Sequence, residues 1–240
     1  MYLDKLRKNL FVDINYPKHI TDLIGSAEPW REFCKLPLET KKKFEFMNHQ
    51  EGADPGYRFR SKAEGREDKE YFHAYPNILE LAKKDGNTAL VEETPALKNF
   101  FEYATAVQRA AYNFALDIGK EMGKELPGLA NLIEKGELRS VLRLLHYTND
   151  TSTDVIAEQH FDRSLYTLHL YESGPGLQFL NWDMQWMDAP IDIGKTVIFN
   201  GYRMEQLTGG DLQKTWHRVI REDGVKDRLS MVLFVWTSAV

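Results

Sequence analysis

Two histidines and an aspartate form the pattern in this chain that is most capable of chemistry. His160 and Asp162 stand one residue apart in the stretch EQHFDRSLYTLHLY. Alternate residues of an extended segment face the same way, so both should project to one side, with Phe161 turned into the packing. On its own a His-x-Asp pair fits a surface loop equally well. The second histidine, His217, lies in the β-like run KTWHRVI after a Thr-Gly-Gly-Asp turn. Two imidazoles and one carboxylate with open coordination positions are the ligand set of a non-haem Fe(II) oxygenase. Neutral imidazole suits Fe(II), and the carboxylate offsets part of the ion's charge. The vacant positions admit a chelating co-substrate and O2.

Arg228 and Ser230 share one face of the next run, RLSMVLFVW. A guanidinium fork beside a hydroxyl is shaped for a carboxylate, which arginine holds bidentately. A carboxylate receptor one strand from a metal suits 2-oxoglutarate, with its keto-acid end on iron and its distal carboxylate on Arg228 and Ser230. Tyr147, in RSVLRLLHY, could add one more hydroxyl.

These side chains need a framework, and the chain changes texture to provide it. Thr94-Pro95 starts a helix, with Thr94 as N-cap and Pro95 at the first helical position. Leu97, Phe100, Phe101, Ala104, Val107, Ala111, Phe114, Ile118 and Met122 follow at helical spacing, before Pro127-Gly128. A shorter helix is expected around Leu129 to Ile133, and Pro37 to Phe46 also reads as a helix start. From about Glu137 the chain becomes short β-rich runs. They are separated by Thr-Asn-Asp, Ser-Gly-Pro-Gly, Thr-Gly-Gly-Asp and Glu-Asp-Gly turns. Such spacing points to an antiparallel sandwich or barrel with helices packed on it. No repeat or linker divides the 240 residues, so one domain is expected: a helix-rich part over 1–135 and the β core over 136–240.

A net charge of −5 offers nothing to a phosphate backbone or an anionic membrane. The single cysteine, Cys34, excludes an intramolecular disulfide and a cysteine-based zinc cluster, and reads as a small apolar filler on a helix. The N-terminus lacks a signal-peptide core and no stretch reaches membrane-span length, so a cytoplasmic protein is expected.

The chain resembles the isopenicillin N synthase-like branch of the Fe(II)/2-oxoglutarate-dependent oxygenases. The likeness is carried by HFDRSLYTLHLYESGPGLQFLN, LTGGDLQKTWHRV and DRLSMVLFVW, and more loosely by REFCKLPLETKKKFEF, GYRFR and KEYFHAYP. It implies a double-stranded β-helix, or jelly roll, with iron on His160, Asp162 and His217 and 2-oxoglutarate on Arg228, Ser230 and Tyr147. It also implies oxidation of a small organic substrate by O2, through hydroxylation, desaturation or cyclisation, with release of succinate and CO2. Ascorbate is a further candidate reductant. Tyr57, Arg58 and Phe59 would stand at the substrate entrance, and Gln178 and Phe179 on a strand near the iron, although packing is the other reading of each. His73 would sit in a pocket-covering segment as a satisfied loop histidine, and His146 and His169 as hydrogen-bonded strand histidines.

The chain departs from the family pattern at Leu145, where plant relatives often have asparagine, and at Gly201-Tyr202, where Gly-Asp is frequent. The usual N-terminal strand looks short or absent. In isopenicillin N synthase the Arg-x-Ser pair receives the substrate's own carboxylate, so an Fe(II) oxidase not using 2-oxoglutarate is the alternative, and a non-catalytic jelly-roll binding module another. The substrate and the oligomeric state are not legible in the sequence.

Overall fold

The computed structural model describes residues 2–46, 54–60, 69–84, 86–147, 155–192, 194–221 and 227–238. The first half contributes α1 (Tyr2–Asn9), β1 (Phe11–Asn15), α2 (Lys18–Ile24), α3 (Glu28–Cys34) and α4 (Leu38–Lys42). A hairpin of β2 (Gly56–Arg60) and β3 (Lys69–Ala74) comes next, then α5 (Ile78–Ala82), α6 (Thr88–Glu93), α7 (Pro95–Gly123) and α8 (Pro127–Glu134). The second half is β4 (Leu138–Tyr147), β5 (Val155–His160), β6 (Tyr166–Glu172), β7 (Leu177–Leu180), β8 (Trp186–Asp188) and β9 (Lys195–Asn200). It closes with α9 (Tyr202–Leu207), β10 (His217–Ile220) and β11 (Arg228–Thr237).

All strand pairs among the described residues are antiparallel. They form a seven-stranded sheet in the order β1-β9-β6-β11-β4-β3-β2 and a four-stranded sheet in the order β5-β10-β7-β8. This is the jelly roll, with the helices covering the outer face of the larger sheet. Alternation along its central strands separates two cores. Leu142 and Leu144 of β4 and Leu229, Met231, Leu233 and Val235 of β11 join the helices in one apolar cluster. Their alternates Leu145, Tyr147 and Val232 join Ala157, Leu177, Phe199 and Val219 in a second cluster between the sheets. That second, smaller cluster surrounds the candidate site.

The long helix runs where its periodicity placed it, and Leu97, Phe100, Phe101, Ala104 and Val107 are fully buried. Phe100 anchors an aromatic group, 4.2 Å from Phe33 and 4.9 Å, edge-on, from Phe72. Pro95 takes its first turn as expected, but the Thr94 side chain makes no capping bond. The helix expected around Leu129 to Ile133 is α8, and the helix start at Pro37 is realised as the short α4.

The N-terminal strand, expected to be short or absent, is the short β1, whose five residues pair with β9. One expectation needs correction. GYRFR and KEYFHA are a hairpin that adds two strands to the larger sheet through β3 and β4. The charges in both runs hide their strand character, yet every residue of β3, including Lys69 and Glu70, is buried. The Thr148-Asn149-Asp150 and Glu222-Asp223-Gly224 turns lie outside the described residues. Among the described residues no helix is long and apolar enough to cross a membrane.

Candidate metal centre

His160 is the last residue of β5 and His217 the first of β10, and the two are register partners across that pair. Their ring centroids are 4.2 Å apart. His160 Nδ1 lies 2.7 Å from the Glu158 carbonyl and His217 Nδ1 3.2 Å from the Thr215 carbonyl. A carbonyl only accepts, so each ring donates from Nδ1, which leaves the Nε2 lone pair for a metal. Burial, followed by the neighbouring His217, pushes the His160 pKa down to about 4, so the ring is neutral and competent to ligate near neutral pH.

Asp162 reaches the same place by another route than the sequence suggested. β5 ends at His160, so strand alternation does not aim Asp162, which lies in the loop before β6. Backbone bonds hold that loop: Tyr202 N–H donates to Asp162 O at 2.8 Å, Gly201 N–H to Leu165 O at 2.9 Å and Arg203 N–H to Ser164 O at 3.1 Å. The contact is so close that a Cβ on Gly201 would lie 2.1 Å from the Ser164 carbonyl oxygen. Thr167 Oγ1 donates to Asp162 Oδ2 at 2.8 Å and lies 2.8 Å from the Ser164 hydroxyl. Asp162 Oδ1 is then 3.9 Å from His217 Nε2, beyond hydrogen-bond reach. One potential ligand atom from each of His160, Asp162 and His217 lies within 4.8 Å of the other two. Phe161 turns away, edge-on to Trp216 at 4.8 Å. Two imidazoles that offer Nε2 and a carboxylate braced from behind fit Fe(II).

Tyr147 and Ser230 line the cavity that contains this triad, joined there by Lys69, Arg143 and His169. Arg228 does not line it. It is register partner to Tyr147, its guanidinium carbon 5.6 Å from that ring's centre. Its Nη2 is paired with the Glu172 carboxylate, and its Nε donates to the Gly174 and Pro175 carbonyls at 3.2 and 3.3 Å. The fork expected to be free for an incoming carboxylate is therefore largely committed. Only Nη1, buried and without a hydrogen-bond partner, is left. Burial opposes the Glu172 charge, but His169 and Arg228 outweigh it and hold its carboxyl below the ordinary value.

Three of the four candidate substrate-pocket residues stand elsewhere. Tyr57 is fully buried on the helix side, its ring near Phe33 and its hydroxyl donating to Glu70 at 2.8 Å. Phe59 is 47% exposed near the end of β2, away from the cavity. Arg58, beside them, is tied to the Tyr57 and Phe46 carbonyls. Gln178 has the wrong strand parity: its amide bonds Asp188 and Arg218 across the smaller sheet. Phe179 is buried under the site, stacked on Phe11 at 4.7 Å and 6.3 Å from the His217 ring. It supports a ligand without lining the cavity. His73 is satisfied, though on a strand: Asp54 O lies 2.9 Å from Nδ1, and Arg143 Nε donates to its Nε2 at 2.7 Å.

A second cluster, Cys34, Glu70 and His146, also brings three ligand-type atoms within 4.8 Å. The Lys41 ammonium sits 2.5 Å from Glu70 there, and His146 bridges Glu70 and Asp227. An organic cation thus already fills the role a metal would take. Cys34 borders this polar network instead of acting as a plain apolar filler, and burial followed by Glu70 pushes its thiol pKa up.

Residues 138–236 match the family model of the 2OG-Fe(II) oxygenase superfamily. A 2-oxoglutarate-dependent dioxygenase of Didymella fabae is 33% identical over 101 residues, covering 39% of this chain and 30% of the relative. The chain thus spans less than a third of the curated relative it matches. Among solved structures, a candidate oxygenase from Shewanella oneidensis is 25% identical with a TM-score of 0.70, covering 98% of this chain and 85% of its own. A dioxygenase for auxin oxidation in rice is 17% identical with a TM-score of 0.72, over 97% of this chain and 75% of its own. The likeness to the rice enzyme shows the fold alone. The likeness to that family model covers the jelly-roll part of this chain, residues 138–236.

Proposed function

We propose that this protein is an Fe(II)- and 2-oxoglutarate-dependent dioxygenase that oxidises a small organic molecule. One observation carries the reading: the potential ligand atoms of His160, Asp162 and His217 converge within 4.8 Å, in a cavity that Ser230 and Tyr147 also line. Iron, when bound there with 2-oxoglutarate and O2, supplies the oxidising power, and the co-substrate leaves as succinate and CO2.

The protein's own residues orient and enclose. The Glu158 and Thr215 carbonyls fix the tautomers of the two histidines, and Thr167 fixes the Asp162 carboxylate. The Ser230 hydroxyl, the Tyr147 hydroxyl and Arg228 Nη1 would receive the distal carboxylate of 2-oxoglutarate. The buried, unpartnered Nη1 supports this, because such a donor is costly until it meets an acceptor. Apolar neighbours such as Leu177, Val219 and Val232 keep water from the reacting groups. The continuous apolar cluster joining the helices to the larger sheet supports a single domain over 1–240. A net charge of −5 and a single cysteine support a small-molecule partner and a reducing compartment, which we read as the cytoplasm.

The test is succinate formation from 2-oxoglutarate by the Fe(II)-loaded protein, which proceeds slowly in this chemistry even without a prime substrate. His160→Ala and Asp162→Ala should each abolish it. Wild-type-level succinate with normal iron content in both variants would overturn the assignment. O2 uptake without succinate would point to the oxidase alternative, and metal binding without O2 uptake to a binding module.

A further inference from the structure

Glu172 holds the place that the dioxygenase reading gives to the co-substrate, and an irregularity in β6 puts it beside a histidine. Residues three apart on a regular strand face opposite sides of the sheet. On β6 the register shifts: Val232 of β11 is opposite His169, whereas Met231 is opposite Tyr171, so Leu170 is an extra residue. A bulge of this kind re-aims the side chains around it. Leu170 and Tyr171 both pack with the helix-side apolar cluster. His169 and Glu172 are thereby brought together, with His169 Nε2 3.4 Å from Glu172 Oε2. His169 also lines the cavity, beside Tyr147 and Ser230.

Three details of this group belong together. The Glu172 carboxylate pairs with Arg228 Nη2. Arg228 Nη1 is buried with no hydrogen-bond partner. His169 Nε2 is buried as well and, although near Glu172, makes no hydrogen bond with it or with any other described residue. Two nitrogens without acceptors thus flank one carboxylate, and buried donors in that state cost free energy until an acceptor arrives. A shift of Glu172 by about 0.5 Å, from 3.4 Å to the usual 2.9 Å, would bond it to a proton on His169 Nε2. Arg228 would then present Nη1 and Nη2 together, as the two-pronged fork that grips a carboxylate.

We propose that Glu172 is an internal stand-in for the distal carboxylate of 2-oxoglutarate, and that His169 is the partner it moves to when the co-substrate binds. This rests on the dioxygenase reading and deepens it by naming what controls co-substrate entry. In the empty site Glu172 keeps the buried Arg228 charge paired. An incoming carboxylate must displace it, so the site binds more weakly than a free fork would. Once Glu172 has moved, Arg228 and His169 both have the acceptors they lack. Glu172 and His169 act on the co-substrate through Arg228 and are therefore positioning residues.

The test uses the full chain loaded with Zn(II), which does not turn over, and calorimetric titration with two keto acids. One is 2-oxoglutarate; the other is 2-oxopentanoate, which has the same chelating end and a methyl group in place of the distal carboxylate. Glu172→Gln should bind 2-oxoglutarate about tenfold more tightly than wild type, with 2-oxopentanoate within about twofold. His169→Phe should weaken 2-oxoglutarate about tenfold, and that loss should vanish when Glu172→Gln is also present. Residues that only support the fold would weaken both keto acids and tighten neither. Unchanged or weaker 2-oxoglutarate binding in a Glu172→Gln protein of native circular dichroism would overturn the proposal. So would a His169→Phe loss that persists in the double variant. If Glu172→Gln does not fold, histidine nitrogen spectra of the wild type decide. 2-Oxoglutarate, and not 2-oxopentanoate, should then move the His169 Nε2–H proton downfield, and no such shift would overturn the proposal. If neither keto acid binds the wild type, the dioxygenase reading falls and the proposal with it. Normal wild-type binding without the gain in Glu172→Gln sinks the proposal alone.

Discussion

Gly201→Ala tests how the backbone aims the metal site. The new Cβ would lie 2.1 Å from the Ser164 carbonyl oxygen and 2.5 Å from its hydroxyl, whereas ordinary contact begins at 3.4 Å. The Ser164 segment would have to retreat by about 1.3 Å, the difference between 3.4 and 2.1 Å. The nearest atom belongs to the backbone, so no rotamer change relieves the clash. Overpacking of this kind costs roughly 1–3 kcal/mol, and losing the Ser164–Thr167 bond adds about 1 kcal/mol. A total near 3 kcal/mol lowers the melting temperature of a chain this long by roughly 6–12 °C. Thr167 bridges Ser164 to Asp162, so the damage passes to the carboxylate. Losing support of that kind weakens metal binding about 10–100-fold. Calorimetric melting and Fe(II) titration of the variant would read both effects. A melting temperature within about 2 °C of wild type, together with unchanged Fe(II) affinity, would refute the reasoning.

Arg228→Lys should keep an ion pair with Glu172 but remove the orphan Nη1, weakening 2-oxoglutarate about tenfold with Fe(II) affinity unchanged; equal co-substrate affinity would show that Nη1 does not receive it. Glu70→Gln should strand the buried Lys41 charge and cost roughly 3–5 kcal/mol, read as a lower urea midpoint at constant slope. Burial disfavours charge on His146, but the bond to Glu70 and the charges of Glu70 and Asp227 outweigh it, so its folded pKa is raised. Its contribution to stability is then fully present below about pH 6.5 and is lost as pH rises through the folded value. Asp227→Asn should flatten that part of the stability profile, measured by urea unfolding across the window.

The convergence of His160, Asp162 and His217 was legible because these residue types have few other joint uses, and β10 and β11 read clearly as strands. Asp162 meets the two histidines by a route other than strand alternation: nothing local in its sequence reveals that Gly201, Tyr202 and Arg203, some forty residues on, clasp its loop. The long helix was legible from its apolar period, and its buried stripe is where that period put it. β2 and β3 were not, because charges break up their apolar alternation, and a buried one such as Glu70 is satisfied by distant partners, Lys41 and His146. That also hid Lys69. Arg143 could have been found, since it shares strand parity with Leu145 and Tyr147. Gln178 failed by the same rule, being one residue out of phase with Leu177 and Phe179. The environment of Arg228 depends on Glu172, Gly174 and Pro175 across β6 and its turn, and no short motif encodes that.

The most direct test of the metal-centre reading is an anaerobic titration of the metal-free protein with Fe(II) and 2-oxoglutarate, followed by visible absorption. A weak charge-transfer band should appear only when both are present, at one iron per chain, and His217→Ala should abolish it. Iron binding with no band, or a band that survives in His217→Ala, would contradict the assignment of His160, Asp162 and His217 as a centre that chelates 2-oxoglutarate.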